Sequence, residues 1–501
     1  MQSGYGQLGN QGLLLVALAL GGCGNSQSAD EAGGGASGAP GGGDPSAMGT
    51  RTVISDPGVP CPEFVPGNAL KVCAASYLAG PADDNASAVD FAPDGQVLWA
   101  GKISQNNFGT TPVELASGGD GALLHLSADG RKVVSVTRWG NVMNDMQADA
   151  KLGNIAVASD LGVGLLAPLG GQLLWSKPLQ GAAQRVSVAA DGTVAALSGK
   201  HVSVFDVAGA LLGEFDVSGS TVNDIAIDSG TQNVFVVGFK QDDGAPCTQL
   251  QIPFLRAYKY NGALSWKAYD WNHTEVGAVN ECADSRGLSV AMGRDGMLYY
   301  AGESHGGNTV HRRSPQDLSA MAPVKKFDKY NDPYNLNGAA PIAFYARFKP
   351  GDGTLEMSQY LVTRLSPDKG EKGNAARPIA IAADEKGNIL LTGAAACCVQ
   401  DAASKTVNGL PAFSAYLGGG FMLVVSADFS QRLAWTVFDG ATGGGTTGVS
   451  VATGGGRMAL AITQALKESA TTASPLLGVD AVQSVPGGGK SDGYFAVWRG
   501  P

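Results

Sequence analysis

Charged residues make up only 16% of this 501-residue chain, histidine occurs five times and aromatic residues reach 7%. Lys and Arg form no cluster and the formal net charge is -10. Nucleic acids and anionic membrane surfaces are held mainly by positive charge, so neither is expected as a ligand. Stretches with helical period are scarce. No HExxH, no GxSxG and no complete phosphate loop is present. Residues 486–491 (PGGGKS) imitate the end of a phosphate loop but lack its leading glycine. Residues 443–448 fit GxGxxG, yet so do residues 33–38 of a glycine-rich stretch, so the match carries no weight. The one long apolar run at the N-terminus, residues 12–20 (GLLLVALAL), is too short to span a bilayer.

Glycine, by contrast, is abundant at 73 residues, which together with the low charge predicts a turn-rich all-β protein. The length exceeds what one compact core usually holds, so the chain is several domains or one modular array. The apolar run is followed at once by Leu20, Gly21, Gly22 and Cys23, and LGGC resembles the bacterial lipobox. No Lys or Arg precedes the run, which departs from that pattern. The resemblance implies a signal peptide at 1–22, lipid on Cys23, and, because Gly24 rather than Asp follows, the outer membrane or cell surface. Residues 23–60 then read as a disordered Gly/Ala/Ser-rich tether, since they cannot bury enough apolar area to fold. Six cysteines remain, Cys61, Cys73, Cys247, Cys282, Cys397 and Cys398, an even number suited to an oxidising compartment. Their spacing matches no zinc site.

Residues 61–501 repeat. An apolar strand, a polar turn and a second apolar strand recur at 87–101 (SAVDFAPDGQVLWAG), 184–199 (QRVSVAADGTVAALSG), 224–239 (DIAIDSGTQNVFVVGF), 288–302, 378–393 (PIAIAADEKGNILLTG) and 449–463, with a degenerate copy at 146–160. Between them lies a second hairpin type, at 122–139, 164–178, 201–217, 254–271, 344–361 and 421–438. A hairpin pair per repeat is a four-stranded unit that cannot bury its faces alone, and about seven such units predict a seven-bladed β-propeller. The last inner hairpin is followed only by residues 493–498 (GYFAVW), one strand short of a complete outer hairpin, while residues 71–80 (KVCAASYLAG) form an unpaired strand before the first, so an N-terminal strand is expected to close the ring.

The segments DIAIDSGTQNVFVVG and PIAIAADEKGNILLTG resemble the DIAVD-x-x-GN-x-YVTG hairpin of bacterial seven-bladed propeller repeats. That resemblance covers roughly residues 70 to 499 and implies fold, not chemistry. Counting strands outward from the axis, the first-to-second and third-to-fourth connections are tight Asp-Gly or Asn-Gly turns. The other connections carry the insertions at 240–252, 272–287, 303–341, 362–377, 395–420 and 465–492, all predicted on one face. The same map brings Cys247 and Cys282 to neighbouring loops, predicting a disulfide, and lets Cys61 and Cys73 staple the lead to the closing strand. For Cys397 and Cys398 a strained vicinal bridge, two free thiols or different partners all stay open.

The 303–341 insertion is the most distinctive. Asp328, Asn331 and Asp332 could offer oxygens to Ca²⁺, although Asp and Asn are also ordinary turn residues and no other cofactor is expected. Trp271, His273, His305, His311, Tyr330 and Tyr334 are candidates for a ligand face. No catalytic residue stands out. The expected role is a monomeric binding or scaffolding module, anchored through lipid, that recognises an envelope protein or glycan through the loop face. A quinoprotein-like dehydrogenase and a lipoprotein of outer-membrane assembly are the alternatives: vicinal cysteines in a propeller loop resemble the former, though its tryptophan docking repeats are not recognisable.

Overall fold

The computed structural model describes residues 60–67, 70–116, 119–332, 340–400, 406–407, 410–411, 416, 418–438, 444–466 and 476–501. Cys23, the 1–22 leader, almost all of the tether, and Tyr334 lie outside them.

Seven four-stranded antiparallel sheets form a seven-bladed β-propeller. Their innermost strands are Asn85–Phe91, Met143–Ala148, Arg185–Val188, Thr221–Asp228, Ser285–Met292, Ala376–Ala383 and Gly444–Gly454, in blades 1 to 7. The outermost strands of blades 1 to 6 are Val133–Arg138, Leu173–Lys177, Leu211–Asp216, Leu264–Ala268, Leu355–Leu361 and Arg432–Phe438. Blade 7 is completed by the N-terminal strand Ala74–Leu78, which pairs with Ser491–Arg499 in the register Ala74↔Val497 to Leu78↔Gly493. The two chain ends therefore share one blade, as the leftover strands predict.

Apolar side chains of the middle strands fill the space between blades, and Trp99, Tyr300, Tyr345 and Trp498 are among the largest wholly buried groups. Six of the seven inner hairpins carry a β-bulge at the same place, between Ala86 and Ala88, Met143 and Asp145, Val222 and Asp224, Gly287 and Ser289, Pro378 and Ala380, and Gly448 and Ser450. A bulge re-aims the side chain that follows it. Asp145 thereby accepts a hydrogen bond from Val186 N of blade 3 (3.0 Å), and Asp224 accepts from Val290 N (3.0 Å) and Ser289 Oγ (2.9 Å) of blade 5. Asp90 accepts from Ala148 N of blade 2 (2.8 Å), and Ser450 Oγ from Val89 N across the closing seam (3.1 Å). The first Asp of DIAID is thus a stitch between blades. The turn aspartates have a local task instead: Asp94, Asp191, Asp295 and Asp352 each accept from the backbone N–H two residues on.

The insertions do share one face at their roots, but two expectations about them are corrected. Residues 240–252 are not a loop: the hairpin Asn233–Gly244/Cys247–Lys259 simply runs on, paired to Gly244↔Cys247. Of the 303–341 insertion only the first stretch stays on the face, where Thr309 bridges Cys282 and Ala283 N donates to Asn308 O (2.9 Å). Its later described part packs down the rim, where Val324 bridges Ser358 in parallel, Lys325 N donates to Ser358 O (2.8 Å) and Val362 N donates to Tyr330 O (2.9 Å). An outer strand exposes unpaired N–H and C=O groups, and this segment satisfies those of blade 5. Blade 1 is covered the same way by Val113–Glu114, blade 6 by Gly67 beside Ala434, and blade 7 by Val479 and Gln483 against Ala75 and Tyr77.

Candidate functional site on the loop-bearing face

At the loop-face ends of the inner strands of blades 5 and 6, Arg286 and Arg377 converge on Glu303, the penultimate residue of Leu298–Ser304. Glu303 is 1% exposed. Its Oε1 lies 2.8 Å from Arg286 Nη1 and 3.3 Å from His305 Nε2, and its Oε2 lies 2.6 Å from Arg377 Nε. Burial pushes its pKa up, but the hydrogen bond from His305 and the charges of Arg377, His305 and Arg286 outweigh that and hold it below the usual range. Arg286 Nε also donates to Gln251 Oε1 (2.5 Å), so the cluster ties blades 4, 5 and 6 at the channel mouth.

Beside blade 4 a polar cleft of about 510 Å³ opens between Ser218–Ser220 and Asn272. Its floor is the fork of Arg256 on Asp270 (Nε to Oδ2 2.8 Å, Nη2 to Oδ1 2.7 Å), joined by Lys240 Nζ (3.1 Å). Arg256 is seated over the Phe254 ring at 4.1 Å. Burial raises the pKa of Asp270, but the Arg256 and Lys240 contacts more than reverse that, so the carboxylate stays ionised. Lys267 and Glu275 line the opening. Three cations and two carboxylates make a surface suited to hydrogen-bonding a polar or anionic group.

Through the axis runs a cavity of about 400 Å³ lined by Asp90, Asp145, Asp224, Arg185 and Arg294. Arg294 bars its tight-turn end, bonded to Thr453 O and 3.7 Å from Asp90. Arg185 lies 3.6 Å from Asp224. Burial, opposed by Arg185 and reinforced by Asp224, raises the Asp145 pKa to about 7.

The sequence-predicted residues do not gather at one point. His311 is wholly buried, stacked on Phe344 (4.4 Å, 5°) and 3.0 Å from Tyr300 OH, and burial lowers its pKa to about 3: it is a neutral core histidine, not part of a ligand face. His305 belongs to the Glu303 cluster. His273 begins the short helix His273–Ala278, which Asn272 caps in a box with Glu275, and its Nδ1 is 2.8 Å from Asp242. Trp271 packs partly buried against the core around Tyr269 and Phe344. Tyr330 meets Trp435 edge-on at 5.9 Å. Two of the proposed calcium oxygens are otherwise engaged, since Asp328 pairs with Arg432 (2.8 Å) and Asp332 with Lys326 (2.9 Å), whereas Asn331 donates through Nδ2 to Tyr360 O (2.9 Å) and its buried Oδ1 has no hydrogen-bond partner among the described residues. Among the described residues no three His, Cys, Asp or Glu side chains form a metal cluster.

Cys61–Cys73, Cys247–Cys282 and Cys397–Cys398 are each paired as disulfides. The PGGGKS segment is a close-packed strap: a Cβ on Gly487, Gly488 or Gly489 would collide with the backbone of Gly80, Pro81 and Ala82. Sequence reading missed Glu303, Asp270 and Asp242. The available signal was an acid at or beyond the end of an apolar strand, as in LYYAGES, where a buried charge must find a cation. No protein-family model matches this chain, and a search of curated proteins found no significant match.

Proposed function

We propose that this chain is an extracytoplasmic propeller, held to the outer membrane by lipid on Cys23, that binds an envelope protein or glycan through its loop-bearing face. The observation that supports it most directly is the asymmetry of the disc. One face has only tight turns, while the other presents the cleft at Lys240, Arg256 and Asp270 beside the Glu303 cluster, both pinned by buried ion pairs and therefore pre-organised. The described lead supports display as well. It reaches Ala74 from the tight-turn side, where Gly67 N donates to Leu433 O, so the described lead joins the disc away from the loop face and leaves that face uncovered by it.

The test is binding of the purified body to envelope glycans and proteins, before and after Lys240→Ala with Lys267→Ala. Binding that is lost while the thermal melt is kept supports the reading. Binding that survives loop-face changes but falls on altering the tight-turn aspartates would reverse the face. Quinone absorbance with dye-linked alcohol oxidation would replace the binding role by a dehydrogenase.

A further inference from the structure

Four of the seven outer strands are covered by added segments of the chain itself, in blades 1, 5, 6 and 7. Among the described residues the outer strands of blades 2, 3 and 4, Leu173–Lys177, Leu211–Asp216 and Leu264–Ala268, end their sheets. These three blades are consecutive, so the uncovered edges form one arc of the rim. Leu174, Leu211, Leu212 and Leu264 are exposed on these three strands, and Leu169 and Val207 are exposed in the tight turns that lead into the first two. At the tight-turn side of the junction of blades 2 and 3, Val207 and the exposed Leu152 of the blade 2 inner turn both lie against Gly192. A Cβ placed on Gly192 would lie 2.7 Å from Val207 and 3.6 Å from Leu152, and Trp175 Nε1 donates to Val207 O (3.0 Å). Open, apolar edge strands are what natural sheets avoid unless something pairs with them.

We infer that the outer strand of blade 3 is a docking edge for an extended segment of a partner protein, added as a fifth strand. Two observations fix the chemistry. First, the chain already covers its other edges by extended segments, three of them in parallel: Val113 beside Thr137, Val324 beside Ser358, and Gly67 beside Ala434. Second, the blade 3 edge is polarised. Leu211 and Leu212 are exposed at its start, whereas Glu214 and Asp216, with side chains 57% and 84% exposed, follow at its end. A parallel partner strand therefore reads apolar first and basic second. A second copy of this chain fits poorly: antiparallel self-pairing sets leucines against carboxylates, and both copies carry net charge -10. The surface is separate from the loop face, so it stands or falls independently of the proposed ligand site.

The probe is a synthetic peptide, Val-Thr-Val-Ile-Thr-Lys-Thr-Lys with blocked ends, titrated by fluorescence anisotropy against the folded protein with amide hydrogen exchange as the map. Expected are protection confined to residues 211–216, at least tenfold weaker binding when alternate peptide amides are N-methylated, and a preference reversed toward Glu-ended peptides by Glu214→Lys with Asp216→Lys. Both positions are exposed, and an unchanged melt confirms folding. Protection elsewhere, or binding indifferent to N-methylation and charge reversal, overturns the inference. So does concentration-dependent dimerisation in sedimentation that Leu211→Lys with Leu212→Lys abolishes, because the occupant is then a second copy.

Discussion

Glu303 is one carboxylate serving two arginines and a histidine in a nearly dry place, and that makes it the residue on which the channel mouth depends. Removing one partner of a buried ion cluster leaves charges uncompensated, at a cost of about 3–5 kcal/mol. Glu303→Gln should therefore lower stability by that order, read as the shift of a urea midpoint at unchanged slope. The pH sign follows from its depressed pKa: the contribution is present above the usual glutamate value and is lost as pH falls through the folded value. The variant should accordingly be less sensitive to acid than the parent below about pH 4, near the ordinary glutamate range. His311 behaves differently. It is neutral in the folded protein down to about pH 3, so His311→Phe loses the contacts to Tyr300 OH and Thr309 Oγ1, about 1–3 kcal/mol for a buried hydroxyl left unpaired, and abolishes the loss of stability that the parent shows as pH falls below about 6.5, where an unfolded histidine takes up its proton. A variant that kept the parent's full loss of stability between about pH 6.5 and pH 4 would contradict that assignment.

Among the elements, the hairpins with alternating apolar strands and Asp-Gly turns were legible in the sequence because period and turn chemistry are local. DIAIDSGTQNVFVVGF is an inner hairpin of blade 4, as its pattern requires, and the unpaired 71–80 strand closes blade 7. The disulfide between Cys247 and Cys282 followed from the same strand map. What stayed hidden depends on distant partners. Nothing in residues 322–326 says that they will lie along Ser358, and nothing in Asp224 says that it will reach Val290, because an edge or a neighbouring blade has no local signature. For the same reason the candidate site was only located to a face: the 240–252 and 272–287 insertions that flank the cleft could be placed there, but the fork of Asp270 with Arg256 and Lys240 could not. The packed state of the insertion changes what truncation does. Val310 and His311 belong to the core shared by blades 4 and 5, and Arg313 is paired with Glu281, so replacing 305–341 by a short turn should unfold those blades, seen as lost near-ultraviolet circular dichroism. Breaking the Cys247–Cys282 bridge as a double serine variant closes no new contact and opens a loop spanning 35 residues, which costs about 3–4 kcal/mol in the chain-entropy account.

At the scale of the whole ring, stability rests on the seam where residues 74–78 and 491–499 meet, since every other junction is also joined by continuous chain. Two aspartates sit there. Asp84 accepts from Gly80 N (2.5 Å) and Ser104 N (2.6 Å), while Asp492, on the strand that receives the N-terminal segment, has Oδ1 buried without a hydrogen-bond partner among the described residues. Burial first, then the neighbouring charges of Asp84 and Asp83, raise the Asp492 pKa to about 7, against backbone hydrogen bonds from Gly488 and Gly487 that lower it. A carboxyl whose folded pKa is raised gives stability that is whole below the ordinary aspartate value and is lost as pH climbs through the folded value. Between about pH 4, where free aspartate titrates, and pH 7 the seam should loosen as Asp492 ionises beside Asp84. Asp492→Asn keeps the size and removes the charge. The parent should thus lose thermal stability from pH 5 to 7.5 and the variant should lose distinctly less, with hydrogen exchange of residues 74–78 rising in the parent over the same interval. Equal pH slopes in the two proteins would show that the seam carboxylates are ionised together in the closed ring and that its stability does not turn on this proton.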